Sequence, residues 1–109
     1  MTKRIRIPAK GSLRRFPPGL TLVEDCLKPM KISQKDFALR IGIDPSYLSS
    51  VLSGKIGVSA DMAIRFEAAL GISAEFWLRK QAGWDLQCAR EFPKVDVAKI
   101  ERYDIPVAA

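Results

Sequence analysis

Histidine is missing altogether from this 109-residue chain. Its absence removes the commonest general base at neutral pH and the commonest metal ligand. Two cysteines, Cys26 and Cys88, stand alone without metal-site spacing. The count permits a disulfide, but the reading is a reduced pair in a cytoplasmic protein. No apolar run approaches the roughly 20 residues that span a bilayer. The basic start is not followed by the apolar stretch of a secretory signal. No nucleophile motif, glycine-rich phosphate loop or carboxylate pair stands out. Neither an enzyme nor a cofactor is therefore expected. What is present is a chain of one-domain length, 48% hydrophobic and 28% charged, with enough apolar residues for a modest core.

Acidic residues are also scarce in one place. Residues 1–17 carry Lys3, Arg4, Arg6, Lys10, Arg14 and Arg15 and no acid. The remainder is balanced, so the whole net charge of +6 sits in that arm. A basic arm beside a neutral body fits a phosphate or minor-groove contact, and equally a solvated leader. Within it, the alternation Arg4-Ile5-Arg6-Ile7 allows a short strand ended by Pro8.

The organising stretch is Ser33 to Lys55, SQKDFALRIGIDPSYLSSVLSGK. Ser33 is an N-cap residue with Asp36 three positions on. Phe37, Ala38 and Ile41 fall on one helical face. Gly42 supplies the positive φ that ends a helix. Asp44 then caps a second helix with Pro45 at its first position, where a missing N–H costs nothing. Leu48, Val51 and Leu52 form its apolar stripe and Gly54 closes it. Two short helices joined by so tight a turn predict a helix-turn-helix, whose second helix lies in the DNA major groove.

That second helix is rich in serine, a residue whose hydroxyl competes for backbone groups and weakens helix interiors. Ser46, Ser49, Ser50 and Ser53 cluster opposite the stripe, with Tyr47 on the flank. So short a helix persists only when packed. Taken alone, the serines fit a solvated face; behind the Ser33–Gly42 helix they are read as a shallow face that approaches bases and phosphates. The DNA-binding set is Ser33, Gln34, Lys35, Pro45, Ser46, Tyr47, Ser49, Ser50, Ser53 and Lys55. Ser46, Tyr47, Ser49 and Ser50 are assigned to base edges, and Gln34 to phosphate and to bracing the reading helix. Ser33, Lys35, Ser53 and Lys55 are assigned to backbone contacts that position without specifying.

Around this unit the chain reads as all-α, with five helices. A first helix is expected from Leu20 to Lys28, after the Pro17-Pro18-Gly19 boundary, with Leu22, Cys26 and Val23 inward and Pro29 ending it. Met30 and Ile32 are expected to pack beneath the helix-turn-helix. Ser59 caps a fourth helix running to Leu70, with Ala63, Phe66 and Leu70 inward and Gly71 as stop. Ser73 caps a fifth, with Glu75 in its first turn. Phe76, Trp77 and Trp84 load that helix beyond what a small interior needs, so part of its face is assigned to a dimer or partner surface. The division is an arm at 1–17, a helical domain at 18–91 and a tail at 92–109. The tail shows no clean period, leaving a short helix, an extended segment or partner-induced order open.

From about Pro18 to Leu86 the sequence resembles the HigA/VapI-type antitoxins of the Xre/lambda-repressor-like helix-turn-helix family. The resemblance rests on Pro18-Gly19, Leu22, Leu27-Lys28-Pro29, Ser33-Gln34, Phe37-Ala38, Leu48-Ser49 and Leu52-Ser53-Gly54-Lys55. It continues through Val58-Ser59-Ala60-Asp61-Met62-Ala63, Ala69-Leu70-Gly71, Ser73-Ala74-Glu75-Phe76-Trp77-Leu78 and Trp84-Asp85-Leu86. Two positions depart from the pattern. Pro17-Pro18-Gly19-Leu20 stands where the family often has His-Pro-Gly-Glu, and Ser50 stands where the reading helix often carries arginine. A bidentate arginine–guanine contact supplies roughly 1–3 kcal/mol of discrimination, which serine cannot. The resemblance implies a lambda-repressor-like fold and a homodimer on a palindromic double-stranded operator. It also implies a cognate toxin, an mRNA-cleaving RNase of the HigB/RelE type, and repression of the protein's own operon. The residues alone also admit a stand-alone repressor, or an interaction module that no longer reads DNA.

Overall fold

A computed structural model describes residues 16–106. The basic arm, with its possible strand, lies almost wholly outside them. Five helices and one short 3-10 turn make up the regular structure of the described residues.

The first helix, α1 (residues 18–30), is continuous but changes its winding: α over Pro18–Thr21, π over Leu22–Leu27, and α again over Lys28–Met30. It therefore passes through Pro29, where an end was expected. A proline in a helix has no N–H, and its ring crowds the carbonyl four residues back. The π winding widens the preceding turns, with the Lys28 N–H bonded five residues back to the Val23 carbonyl. Lys31 then breaks the helix at φ 57°, the only non-glycine residue in the left-handed region among those described. The longer helix leaves Met30 47% exposed rather than packed beneath the helix-turn-helix, while Ile32 does reach the core.

The next helices follow their punctuation. Helix α2 (Gln34–Ile41) is capped by Ser33, whose Oγ accepts the Asp36 N–H at 3.0 Å, and ends on Gly42 at φ 78°. Helix α3 (Pro45–Leu52) is capped by Asp44. Helix α4 (Ala60–Leu70) is capped by Ser59 and stops at Gly71. Helix α5 (Ala74–Glu91) is capped by Ser73 and runs for 18 residues, with Leu78 and Leu86 exposed among its charged and polar outer residues. Beyond it, Asp96 caps a single 3-10 turn, Val97–Lys99.

The core is one cluster drawn from all five helices. Leu22 and Leu27 of α1 meet Phe37 and Ala38 of α2, Leu48 and Val51 of α3, Met62 and Phe66 of α4, and Trp77 of α5. Trp77 is fully buried, edge-on to Phe66 at 5.2 Å and to Phe76 at 5.2 Å. Such rings supply the largest buried apolar areas a small core can hold. The two tryptophans thus divide: Trp77 is core, whereas Trp84, two turns on, is half-exposed. Where α1 crosses the end of α3 the backbones touch. A Cβ on Gly19 would lie 2.5 Å from the Leu52 carbonyl oxygen and 2.7 Å from its Cα. Only glycine permits that approach, and it seats α1 against the last turn of α3.

Candidate nucleic-acid interface

The α2–turn–α3 unit is fixed at each joint by a hydrogen bond. At the turn, the Ile43 N–H reaches back to the Ala38 carbonyl at 2.9 Å and the Gly42 N–H to the Leu39 carbonyl at 3.2 Å. Arg65 of α4 covers the next carbonyls at the end of α2, those of Ile41 and Gly42. Its Nη1 donates to Ile41 O at 2.6 Å and to Gly42 O at 3.4 Å, while Nε bonds Asp61 at 2.7 Å. A guanidinium at a helix C-terminus satisfies orphan carbonyls and meets the negative end of the dipole.

At the start of α3, Asp44 Oδ1 accepts twice from Ser46, from its N–H and from its hydroxyl, each at 2.7 Å. Those bonds, the hydroxyl's first, hold the exposed Asp44 carboxyl below its usual range. At the other end, the Ser50 carbonyl gathers the Lys55 N–H at 2.9 Å, the Ile56 N–H at 3.2 Å and the Ser53 hydroxyl at 3.2 Å. Gly54 turns at φ 88°. The chain is then pinned to α5: Gln81 Oε1 accepts the Val58 N–H at 2.7 Å, and Gln81 Nε2 donates to Asp85 at 2.8 Å. Val58 itself is buried.

These constraints present a defined outer surface. Pro45, Ser46, Tyr47, Ser49 and Ser53 are exposed on α3 and its cap, as are Ser33, Gln34 and Lys35 at the start of α2 and Lys55 beyond the turn. Tyr47 is 38% exposed, its ring standing at the flank of the serine face. Ser50 differs. It is half-buried, and the 53–56 loop folds back onto its carbonyl. Nine of the ten assigned residues therefore lie on the open surface and one is partly withdrawn. The arrangement offers hydroxyls, two ammonium groups and the N-termini of two helices, which is the chemistry of phosphate and base-edge contact.

Sequence reasoning missed Arg65 and Gln81, which hold the unit rather than face outward. The Asp61–Arg65 spacing of four was a visible signal, though of an ordinary surface pair. Nothing local pointed to Gln81. Among the described residues, no histidine, cysteine or carboxylate group is placed to hold a metal. Both cysteines are free, and burial pushes the Cys26 thiol up, with Asp25 adding to the effect. No helix of the described residues is long and apolar enough to cross a membrane.

Comparison with known proteins agrees with this geometry. A helix-turn-helix family profile matches residues 23–77. Virulence-associated protein I of Dichelobacter nodosus is 34% identical over 86 residues, covering 78% of this chain and 80% of that protein. Antitoxin HigA-1 of Vibrio cholerae is 37% identical over 77 residues, covering 71% of this chain and 72% of its own. Among solved structures, the antitoxin GraA superposes with a TM-score of 0.77 at 31% identity, covering 84% of this chain and all of GraA. GraA in complex with its operator gives 0.73 at 30% identity, with 90% of this chain and all of GraA covered. The fold is thus the lambda-repressor-like one expected, its family is non-enzymatic, and the chain belongs to the HigA/VapI-type antitoxins of the Xre-like helix-turn-helix family.

Proposed function

We propose that this protein is a cytoplasmic, homodimeric antitoxin. It represses its own operon by sequence-specific binding to a palindromic operator, and it neutralises a HigB/RelE-type mRNA-cleaving toxin. One observation carries the DNA part. A relative captured on its operator matches nine-tenths of this chain, and the same α2–turn–α3 unit here leaves its serine face open and rigidly braced.

Two copies place their α3 helices about 34 Å apart, one turn of duplex, so that both enter the major groove on one side. Ser46, Tyr47 and Ser49 meet base edges, with Pro45 offering an apolar contact at the helix start. Ser50, partly covered, contributes less than its neighbours. Gln34, Ser33, Lys35, Ser53 and Lys55 hold the flanking phosphates. Copies join, in this reading, through the second half of α5 and the segment after it, where Leu86, Phe92 and Val95 are exposed and Trp84 is half-covered.

The test is titration of the purified chain against the DNA upstream of its own reading frame at several salt concentrations. Specific binding that falls steeply with salt is expected. Ser46→Ala combined with Tyr47→Ala relaxes sequence preference, whereas Lys55→Ala weakens all DNA alike. Indifference to both changes removes the reading-helix assignment. The toxin part is tested by co-expression with the neighbouring basic reading frame. Growth arrest by that frame alone, relieved by this chain, is the expected result; no relief refutes toxin neutralisation and leaves a repressor.

A further inference from the structure

Ser46 does not carry a free hydroxyl. Asp44 Oδ1 takes both its N–H and its O–H, each at 2.7 Å. An ionised carboxylate has no proton to give, so the direction of the second bond is fixed: Ser46 donates and Asp44 accepts. A serine hydroxyl ordinarily serves as donor or acceptor as its neighbour requires. Here the donor half is spent inside the protein, and what the exposed Ser46 turns outward is lone pairs. The adjacent carboxylate, also exposed, adds only acceptors. The rest of α3 offers no sharper discriminator. The helix Pro45–Leu52 contains no Arg, Lys, Asn or Gln to make a bidentate base contact. The hydroxyls of Tyr47 and Ser49 take either role.

In the major groove the four bases differ in this respect. Guanine offers O6 and N7 and thymine offers O4, all acceptors. Cytosine offers the N4 amino group as a donor, and adenine the N6 amino group beside its N7 acceptor. Setting an acceptor-only pair against guanine or thymine opposes lone pairs and leaves both sides unsatisfied, which costs more than a missing hydrogen bond between neutral, mobile groups. Resting on the reading of α3 as the groove-entering helix, we propose that Asp44 and Ser46 form an acceptor-only pair that selects an exocyclic amino group, on cytosine or adenine, at one base pair of each half-site. The same carboxylate repels phosphate, so this selectivity is held at some cost in overall affinity.

The experiment is selection of bound sequences from a random duplex library with the full-length chain, its Asp44→Gly variant and its Ser46→Ala variant. Glycine at an N-cap costs only a few tenths of a kcal/mol relative to a good cap, so the first variant keeps its fold. The Ser46→Ala variant leaves the cap carboxylate in place and serves as the second reading should the glycine variant unfold. The wild type is expected to enrich cytosine or adenine over guanine and thymine by about 5- to 10-fold at one position per half-site, the discrimination one hydrogen bond supplies. The enriched base says which amino group is read. Asp44→Gly releases the hydroxyl proton, and guanine and thymine become admitted at that position while other positions keep their preferences. Ser46→Ala removes the hydroxyl lone pairs and reduces the preference, the cap carboxylate alone remaining to oppose guanine and thymine. Unchanged preference at every position in both variants overturns the pairing while leaving DNA reading intact. Enrichment of no sequence by the wild type overturns the DNA reading itself.

Discussion

The α2–α3 unit and the segment after α5 contain comparable shares of apolar side chains and use them in opposite ways. In the first, every joint is closed by a bond within the molecule: Ser33 and Asp44 at the helix starts, Arg65 over the turn, the Ser50 carbonyl and Gln81 at the exit. Its apolar residues Phe37, Ala38, Ile41, Leu48 and Val51 are buried, with Leu39 and Tyr47 left exposed. In the second, Phe92 is 77% exposed, Ile105 80% and Tyr103 91%, and the regular structure is one 3-10 turn capped by Asp96. A protein that leaves large side chains in water over a dozen residues gains nothing from them alone. The difference separates the part of the chain whose apolar side chains close on its own interior from the part whose apolar side chains stay in water.

The sharpest way to break the self-contained half is to interrupt its tightest crossing. Gly19→Ala puts a methyl group 2.5 Å from the Leu52 carbonyl oxygen, backbone against backbone, with no flexible side chain to yield. Overpacking of this kind costs about 2–3 kcal/mol. For a domain of this size that lowers the thermal midpoint by roughly 10–20 °C. Because the displaced element is the last turn of α3, operator affinity should fall at temperatures where the variant is still folded. A midpoint within a degree or two of wild type would mean that α1 is not seated against α3 as described.

Arg65→Gln comes next. Its ion pair with Asp61 is partly exposed and contributes little. The loss comes from the two carbonyls of Ile41 and Gly42, whose charge-assisted bond is removed. The expected cost is about 1–2 kcal/mol by denaturant melting. Amide exchange at Gly42 and Ile43 should quicken more than at the centre of α4, because the turn opens before the core does. Equal acceleration at both would show that Arg65 acts on the whole fold rather than on the turn.

Legibility in the sequence follows the same division. Caps and stops are local, and Ser33, Gly42, Asp44, Ser59, Gly71 and Ser73 each do in the fold what their spacing predicts. The inward stripes were visible because helical period is local too, except in α1, where Leu27 rather than Val23 joins the core with Leu22 and Cys26. What escaped depended on distant groups. Arg65 bonds a carbonyl 24 residues away and Gln81 an amide 23 residues away. Pro29 reads as a terminator from its own chemistry, but the π winding before it lets the helix run on. Ser50 sits on the outer arc by helical angle yet is half-covered, and three donors from the loop beyond converge on its carbonyl. The segment after α5 defied assignment for a different reason: with no interior partner, its apolar residues need obey no period.

The smallest effect on stability is expected in that segment, and it tests the comparison most directly. Replacing Phe92, Tyr103 and Ile105 together by serine removes three large apolar groups that touch little of the folded body. Surface substitutions away from packed features stay within about 0.5 kcal/mol each, so the thermal midpoint measured at low protein concentration should hardly move. At high concentration the outcome should differ. If these side chains join one copy to another, the wild-type midpoint rises with concentration by mass action and the triple variant's does not. Analytical ultracentrifugation then finds the variant shifted towards monomer while its helix content is unchanged. A fall in the midpoint at low concentration comparable to that of Gly19→Ala would make the segment part of the fold. The contrast between a self-contained half and an open one would then collapse.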